Sequence, residues 1–131
     1  MSKILIIDDD RMDRLLIKKA MLRVQPDLEI LELDSGREAV STIQSESPLA
    51  TLLDIRMPGI DGFQVLKAIR EDTETRSHPV IMVSGSDETS DKDMATEFGA
   101  DGYLVKPDSF LGYGELAQVI FKTVFKGRQP E

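Results

Sequence analysis

The chain has 131 residues, enough for one domain with a buried core, and its 40% apolar content can fill that core. Its 24 acidic residues against 16 basic ones give a formal charge of −8, which disfavours binding of nucleic acid or of an anionic membrane by this domain. It has no cysteine, which excludes a disulfide scaffold and a thiolate metal site, and no apolar run long enough for a signal-peptide core or a bilayer span, so a soluble, cytoplasmic domain is expected.

The first segment, "KILII" (Lys3 to Ile7), is short, isoleucine-rich and apolar throughout, the pattern of a strand buried on both faces. Three aspartates follow. Asp10 is read as the cap of the next helix, since an acid there accepts free N–H groups and favours the helix dipole. In that helix Met12, Leu15, Leu16, Ala20, Met21 and Val24 recur near helical spacing, and Pro26 ends it. "LEILEL" (Leu28 to Leu33) alternates like an edge strand. "SGREAVSTIQS" predicts a helix capped by Ser35, with Ala39, Val40 and Ile43 inward. "LATLL" (Leu49 to Leu53) is a third, buried strand ending at Asp54.

"RMPGIDG" is turn chemistry, in which Pro58, Gly59 and Gly62 serve as turn formers. The helix "FQVLKAIRED" turns Val65, Leu66 and Ile69 inward. His78 is read as a solvated loop residue with no role. "PVIMV" (Pro79 to Val83) is a fourth strand that delivers Ser84 and Gly85. "DETSDKDMATEFG" is a polar helix stopping at Gly99, anchored only by Met94, Ala95 and Phe98, which places it at the low-stability end of the fold. "GYLV" (Gly102 to Val105) is a fifth strand ending at Lys106-Pro107. The last helix is predicted from Glu115 to Phe125, with Leu116, Val119, Ile120 and Val124 inward. Phe110, Leu111, Phe121 and Phe125 add more apolar surface than one stripe needs; either some face outward as a partner patch or the preceding loop folds over them. Residues 1–126 are read as one domain and 127–131 as a tail.

Strand and helix alternate five times, which implies an α/β fold: a five-stranded parallel sheet with helices on both faces, joined by right-handed crossovers. Ligands bind such sheets beyond the carboxyl ends of the strands. Standing there are Asp8 and Asp9 from the first strand, Asp54 from the third, Ser84 from the fourth and Lys106 from the fifth. Two like charges about 4 Å apart repel by about 4 kcal/mol at an effective dielectric near 20. A pocket of three carboxylates and one lysine must therefore protonate a carboxylate or bind a hard cation. Donors that are all oxygen favour Mg2+ or Mn2+. A carboxylate is also a competent nucleophile towards phosphorus, and a lysine and a hydroxyl can stabilise the other phosphoryl oxygens, so the residue types suggest phosphoryl transfer onto an aspartate.

Four motifs, "ILIIDDD", "LLDIRMPGIDG", "VIMVSG" and "YLVKP", occur in order and each at a strand end. Together they resemble the receiver domain of two-component response regulators over nearly the whole chain. The resemblance implies a flavodoxin-like fold with strand order 2-1-3-4-5. It also implies a phosphorylation-controlled signalling switch: a phosphoacceptor with self-catalysed transfer and autodephosphorylation, not an enzyme in the ordinary sense. Asp54 would accept a phosphoryl group from a sensor histidine kinase or a histidine phosphotransfer protein. Asp9, Asp54 and the backbone carbonyl of Arg56 would hold Mg2+ (or Mn2+), with Asp8 acting directly or through water. Lys106 would pair with one phosphoryl oxygen and Ser84 with another, and Tyr103 would be the switch aromatic. A downstream protein would dock on the fourth helix, fifth strand and fifth helix. The Lys106-Pro107 bond is expected to be cis by the same resemblance, the Arg56 side chain to lean over the pocket, and the loop Asp108 to Gly114 to be longer than usual. The chain is either a stand-alone receiver or part of a longer regulator.

Two other readings are available. "IIDDDRM" also resembles the nucleophile motif of haloacid-dehalogenase-type phosphatases, with Asp8 as nucleophile and Asp10 as acid, although the acidic pair expected after a further strand is missing. The other is an interaction module indifferent to phosphorylation, against which stands the presence of every pocket residue.

Overall fold

The computed structural model describes residues 2–125. Ten elements alternate: β1 (Lys3–Ile7), α1 (Arg11–Val24), β2 (Glu29–Leu33), α2 (Ala39–Glu46), β3 (Ala50–Leu53), α3 (Gly62–Glu71), β4 (Val80–Ser84), α4 (Thr89–Glu97), β5 (Gly102–Val105) and α5 (Phe110–Val124). The strands form one parallel sheet in the order β2-β1-β3-β4-β5, as the resemblance implied. The expected boundary between domain and tail at 126/127 lies outside the described residues. Among the described residues no helix is long and apolar enough to cross a membrane.

The alternation of side chains along β1 builds two cores. Ile4 and Ile6 face α1 and α5, packing with Ile17, Met21, Leu116 and Ile120. Leu5 and Ile7 face the other way, towards Ile43, Leu66, Ile69 and Ala95 of α2, α3 and α4. A strand covered on both faces needs apolar residues at every position, which is why "KILII" shows no polar alternation. The register levels the strand ends: Ile7 of β1 stands beside Leu33 of β2 and Leu53 of β3. Whatever follows Ile7 and Leu53 therefore emerges at one height on the carboxyl edge.

Several sequence expectations need correction. α2 starts at Ala39 with no side-chain cap, because the Ser35 hydroxyl accepts instead from the Arg37 N–H at 3.3 Å in a local turn. In α1 the inward stripe is Ile17, Ala20 and Met21, while Met12, Leu15 and Val24 are exposed. In α4 Met94 is exposed, and the buried positions are Ala95 and, unexpectedly, Asp91. α5 begins at Phe110, five residues early, with Ser109 as its cap. Gly112 and Gly114 gave that turn the look of a loop, but Gly112 is there for close approach: a Cβ on it would lie 2.4 Å from the Pro107 ring. The inward stripe of α5 is Tyr113, Leu116, Ala117, Ile120, Phe121 and Val124, which leaves Val119 outside. Phe121 stacks on Phe125 with ring centroids 5.4 Å apart, whereas Phe110 and Leu111 are 79% and 87% exposed, so the four extra apolar residues divide two and two. Lys106–Pro107 is trans, not cis; trans is the lower form of an X–Pro bond by about 0.5–1 kcal/mol.

His78 is not a solvated loop residue. Its Nε2 lies 2.8 Å from the hydroxyl of Thr51, a residue buried on β3, and its carbonyl accepts from Arg70 at 2.7 Å. Burial first, and then the Arg70 charge, hold the imidazole down at about 4.

Candidate functional site

Sheet geometry aims the site. The Asp54 N–H donates to the Ile7 carbonyl at 3.0 Å, continuing the β1–β3 ladder one step and placing Asp54 beside Asp8. The Lys106 N–H donates to the Ser84 carbonyl at 2.7 Å, which does the same for β4 and β5. Gly62 permits tight seating of α3 against the segment that follows β3, since a Cβ there would lie 2.1 Å from the Asp54 carbonyl oxygen. A purely turn-forming role for Gly62 is too narrow.

Asp8 and Asp54 are buried and Asp9 is exposed at the rim. One carboxylate oxygen from each lies within 4.8 Å of the other two. In an octahedral shell with 2.0–2.1 Å bonds adjacent oxygens are about 2.9 Å apart and opposite ones about 4.1 Å, so this all-oxygen triad fits a Mg2+- or Mn2+-sized ion after small side-chain adjustments. Lys106 Nζ is 2.8 Å from Asp8 Oδ2, 2.7 Å from Asp13 Oδ2 and 3.4 Å from Asp54 Oδ2. The Asp54 carboxyl is pushed up to about 6, by burial first and then by the Asp8 charge, against the pull of Lys106. Asp8 is raised by burial, with its bonds to Lys106 and the Asp10 N–H opposing. Burial works against the Lys106 charge, yet its bonds to Asp13 and Asp8 outweigh it and hold the ammonium well above the usual lysine range. The site is thus short of positive charge in the way the sequence suggested, with Asp13 as a fourth carboxylate that the sequence reading missed. Asp13 lies in the first turn of α1, where an acid is ordinary, so neither its type nor its position marked it in the sequence.

Asp10 is spent as the α1 cap, accepting from the Met12 N–H at 2.8 Å and the Asp13 N–H at 3.1 Å. That removes the acid required by the dehalogenase-type reading. Ser84 is fully buried, and its hydroxyl accepts from the Ser86 N–H at 3.2 Å. The Tyr103 hydroxyl donates to the Ser86 carbonyl at 2.8 Å, so the residue expected to switch is tied to the β4–α4 turn. The Arg56 guanidinium is drawn to α4, donating to Asp91 Oδ2 at 2.8 Å, and the same oxygen accepts from the Ser86 hydroxyl at 2.6 Å. Asp91 was also missed, because a single acid within a polar helix looks like every other solvated acid.

A doubly wound sheet with an acidic pocket, a lysine and a buried hydroxyl at its carboxyl edge defines an α/β domain with its candidate ligand site where such sheets bind ligands. The chain belongs to the response regulator receiver domain family, whose model its residues 4–111 match. Protein PilH of Pseudomonas aeruginosa is 35% identical over 107 residues, which are 82% of this chain and 87% of PilH. The probable transcriptional regulator ycf27 of Porphyridium aerugineum is 34% identical over 108 residues, 82% of this chain but 43% of that protein. The chain thus spans less than half the length of several relatives it matches. Among solved structures, the Mn2+-bound form of response regulator Rcp1 superposes with a TM-score of 0.81 at 25% identity, covering 93% of both chains.

Proposed function

We propose that residues 1–126 form a receiver unit in which Asp54 accepts a phosphoryl group from a phosphohistidine, on a sensor histidine kinase or a histidine phosphotransfer protein in the cytoplasm. The observation that carries this reading is the convergence of Asp8, Asp9, Asp54 and Lys106 at one strand edge. Asp8, Asp9, Asp54 and the Arg56 carbonyl would hold Mg2+, which supplies charge neutralisation and a binding position for a phosphoryl oxygen. An oxygen of Asp54 attacks phosphorus, the new O–P bond forms as the P–N bond breaks, and the imidazole leaves. Lys106 then pairs with one phosphoryl oxygen, and the Ser84 hydroxyl leaves the Ser86 N–H to donate to another. Loss of that turn contact frees the segment that Tyr103 also holds, and a pre-existing equilibrium shifts. The output passes to a protein partner over α4, β5 and α5, where Met94, Val105 and Val119 are exposed.

The test is incubation with acetyl phosphate and Mg2+, read by intact mass. Wild-type protein gains one phosphoryl group and Asp54→Asn gains none. A gain that survives Asp54→Asn, or no gain in the wild type, would overturn the assignment.

A further inference from the structure

Asp13 stands at the third position of α1. An acid there commonly turns back to the cap residue's N–H. That N–H, of Asp10, is already taken by Asp8 Oδ1 at 2.9 Å, and the Asp13 carboxylate instead receives Lys106 Nζ at 2.7 Å from the far side of the sheet. An ammonium has three N–H donors. The Lys106 nitrogen lies 2.7 Å from Asp13 and 2.8 Å from Asp8, closer than the 3.4 Å that separate it from Asp54. The lysine is therefore held partly away from the acceptor.

We propose that Asp13 is a positioning residue that restrains Lys106, competing for its ammonium with Asp54 and, after transfer, with the phosphoryl group. The inference rests on Asp54 being the phosphoryl acceptor. Two effects act in the same direction. Bringing Lys106 to a phosphoryl oxygen stretches or breaks its bond to Asp13, and the Asp13 charge repels the incoming dianion. Asp13 thereby disfavours the phosphorylated form and couples the first turn of α1 to the pocket.

The experiment uses the full chain with Mg2+ and beryllium fluoride as the phosphoryl mimic. Asp13→Asn, which keeps the shape and removes the charge, is expected to bind the mimic about two- to fivefold more tightly, the scale of a partly exposed ion pair. Asp13→Ser, a residue suited to a helix's first turn, should change in the same direction. The Lys106 15Nζ resonance must move in both variants before any mimic is added, a signature that a purely structural role for Asp13 would not produce. Equal or weaker mimic binding with the fold intact, an unmoved Lys106 signal, or loss of the fold in both variants would overturn the inference. If the wild type itself neither binds the mimic nor takes a phosphoryl group, the acceptor assignment fails instead, so the two failures are distinguishable.

Discussion

α3 and α4 share one face of the sheet and are nearly equal in length, ten residues against nine, yet they are held by different means. α3 follows β3, the strand that delivers Asp54. It buries Gly62, Phe63, Val65, Leu66 and Ile69, opens with a full capping box between Asp61 and Gln64, and closes with Arg70 donating to the carbonyls of His78 and Gly99 and to Asp101. α4 follows the strand that ends at Ser84. It buries only Asp91 and Ala95 and has no side-chain cap. Its main tie to the pocket side is polar, through Arg56, Asp91 and Ser86. Apolar burial, worth about 1.5–3 kcal/mol for each large side chain, fixes the helix beside Asp54. Exchangeable hydrogen bonds hold the helix beside the hydroxyl that is proposed to move, and such segments open first.

The sharpest way to break this contrast is truncation. Leu66→Ala in α3 should cost about 2–5 kcal/mol in denaturant unfolding, since Leu66 is completely buried. A cost under about 1 kcal/mol would mean that α3 is not the rigid partner, on the same scale. Next comes the foundation beneath α3, where the neutral His78 ring bonds Thr51. Its folded value of about 4 lies below the ordinary 6.5, so the unfolded chain binds the extra proton and stability falls as pH drops from about 6.5 towards 4. From pH 7 to pH 5 the wild type should lose about 2 kcal/mol relative to His78→Gln, at 1.36 kcal/mol per pH unit. Parallel stability curves for the two proteins would remove His78 from the account.

Asp91→Ala is expected to cost about 1 kcal/mol, because the Arg56 partner is largely exposed and contributes little, while the Ser86 hydroxyl loses a buried acceptor. Amide exchange should then speed up over residues 89–97 and stay unchanged over 62–71. Uniform acceleration across both helices would erase the distinction. Smallest of all, Met94→Ala should change stability by under about 0.5 kcal/mol, as Met94 is exposed.

Much of this was legible in the sequence, and the reason is periodicity. Strands covered on both faces are mostly apolar, so "KILII", "LATLL" and "PVIMV" declared the sheet, and the acids and serine after them, with the lysine after "GYLV", marked its carboxyl edge. The Asp10 cap was readable because its bonds are local. What escaped depends on long-range partners. Asp13 meets Lys106 across 93 positions, and Asp91 meets Arg56 across 35. Neither acid differs in type or spacing from a solvated one. His78 escaped for the same reason, since the buried Thr51 hydroxyl that receives it lies on another strand. The start of α5 was missed because glycines that serve packing look, in sequence, like glycines that serve a loop.

The close approach of Gly62 to the Asp54 carbonyl has a consequence for mutational scanning. A residue with no side chain sits against the main chain of the proposed acceptor, with backbone and no yielding side chain as its neighbour. Scored by phosphate incorporation, even alanine at position 62 should register as a chemical defect, placing among the reactive residues one that has no functional group at all.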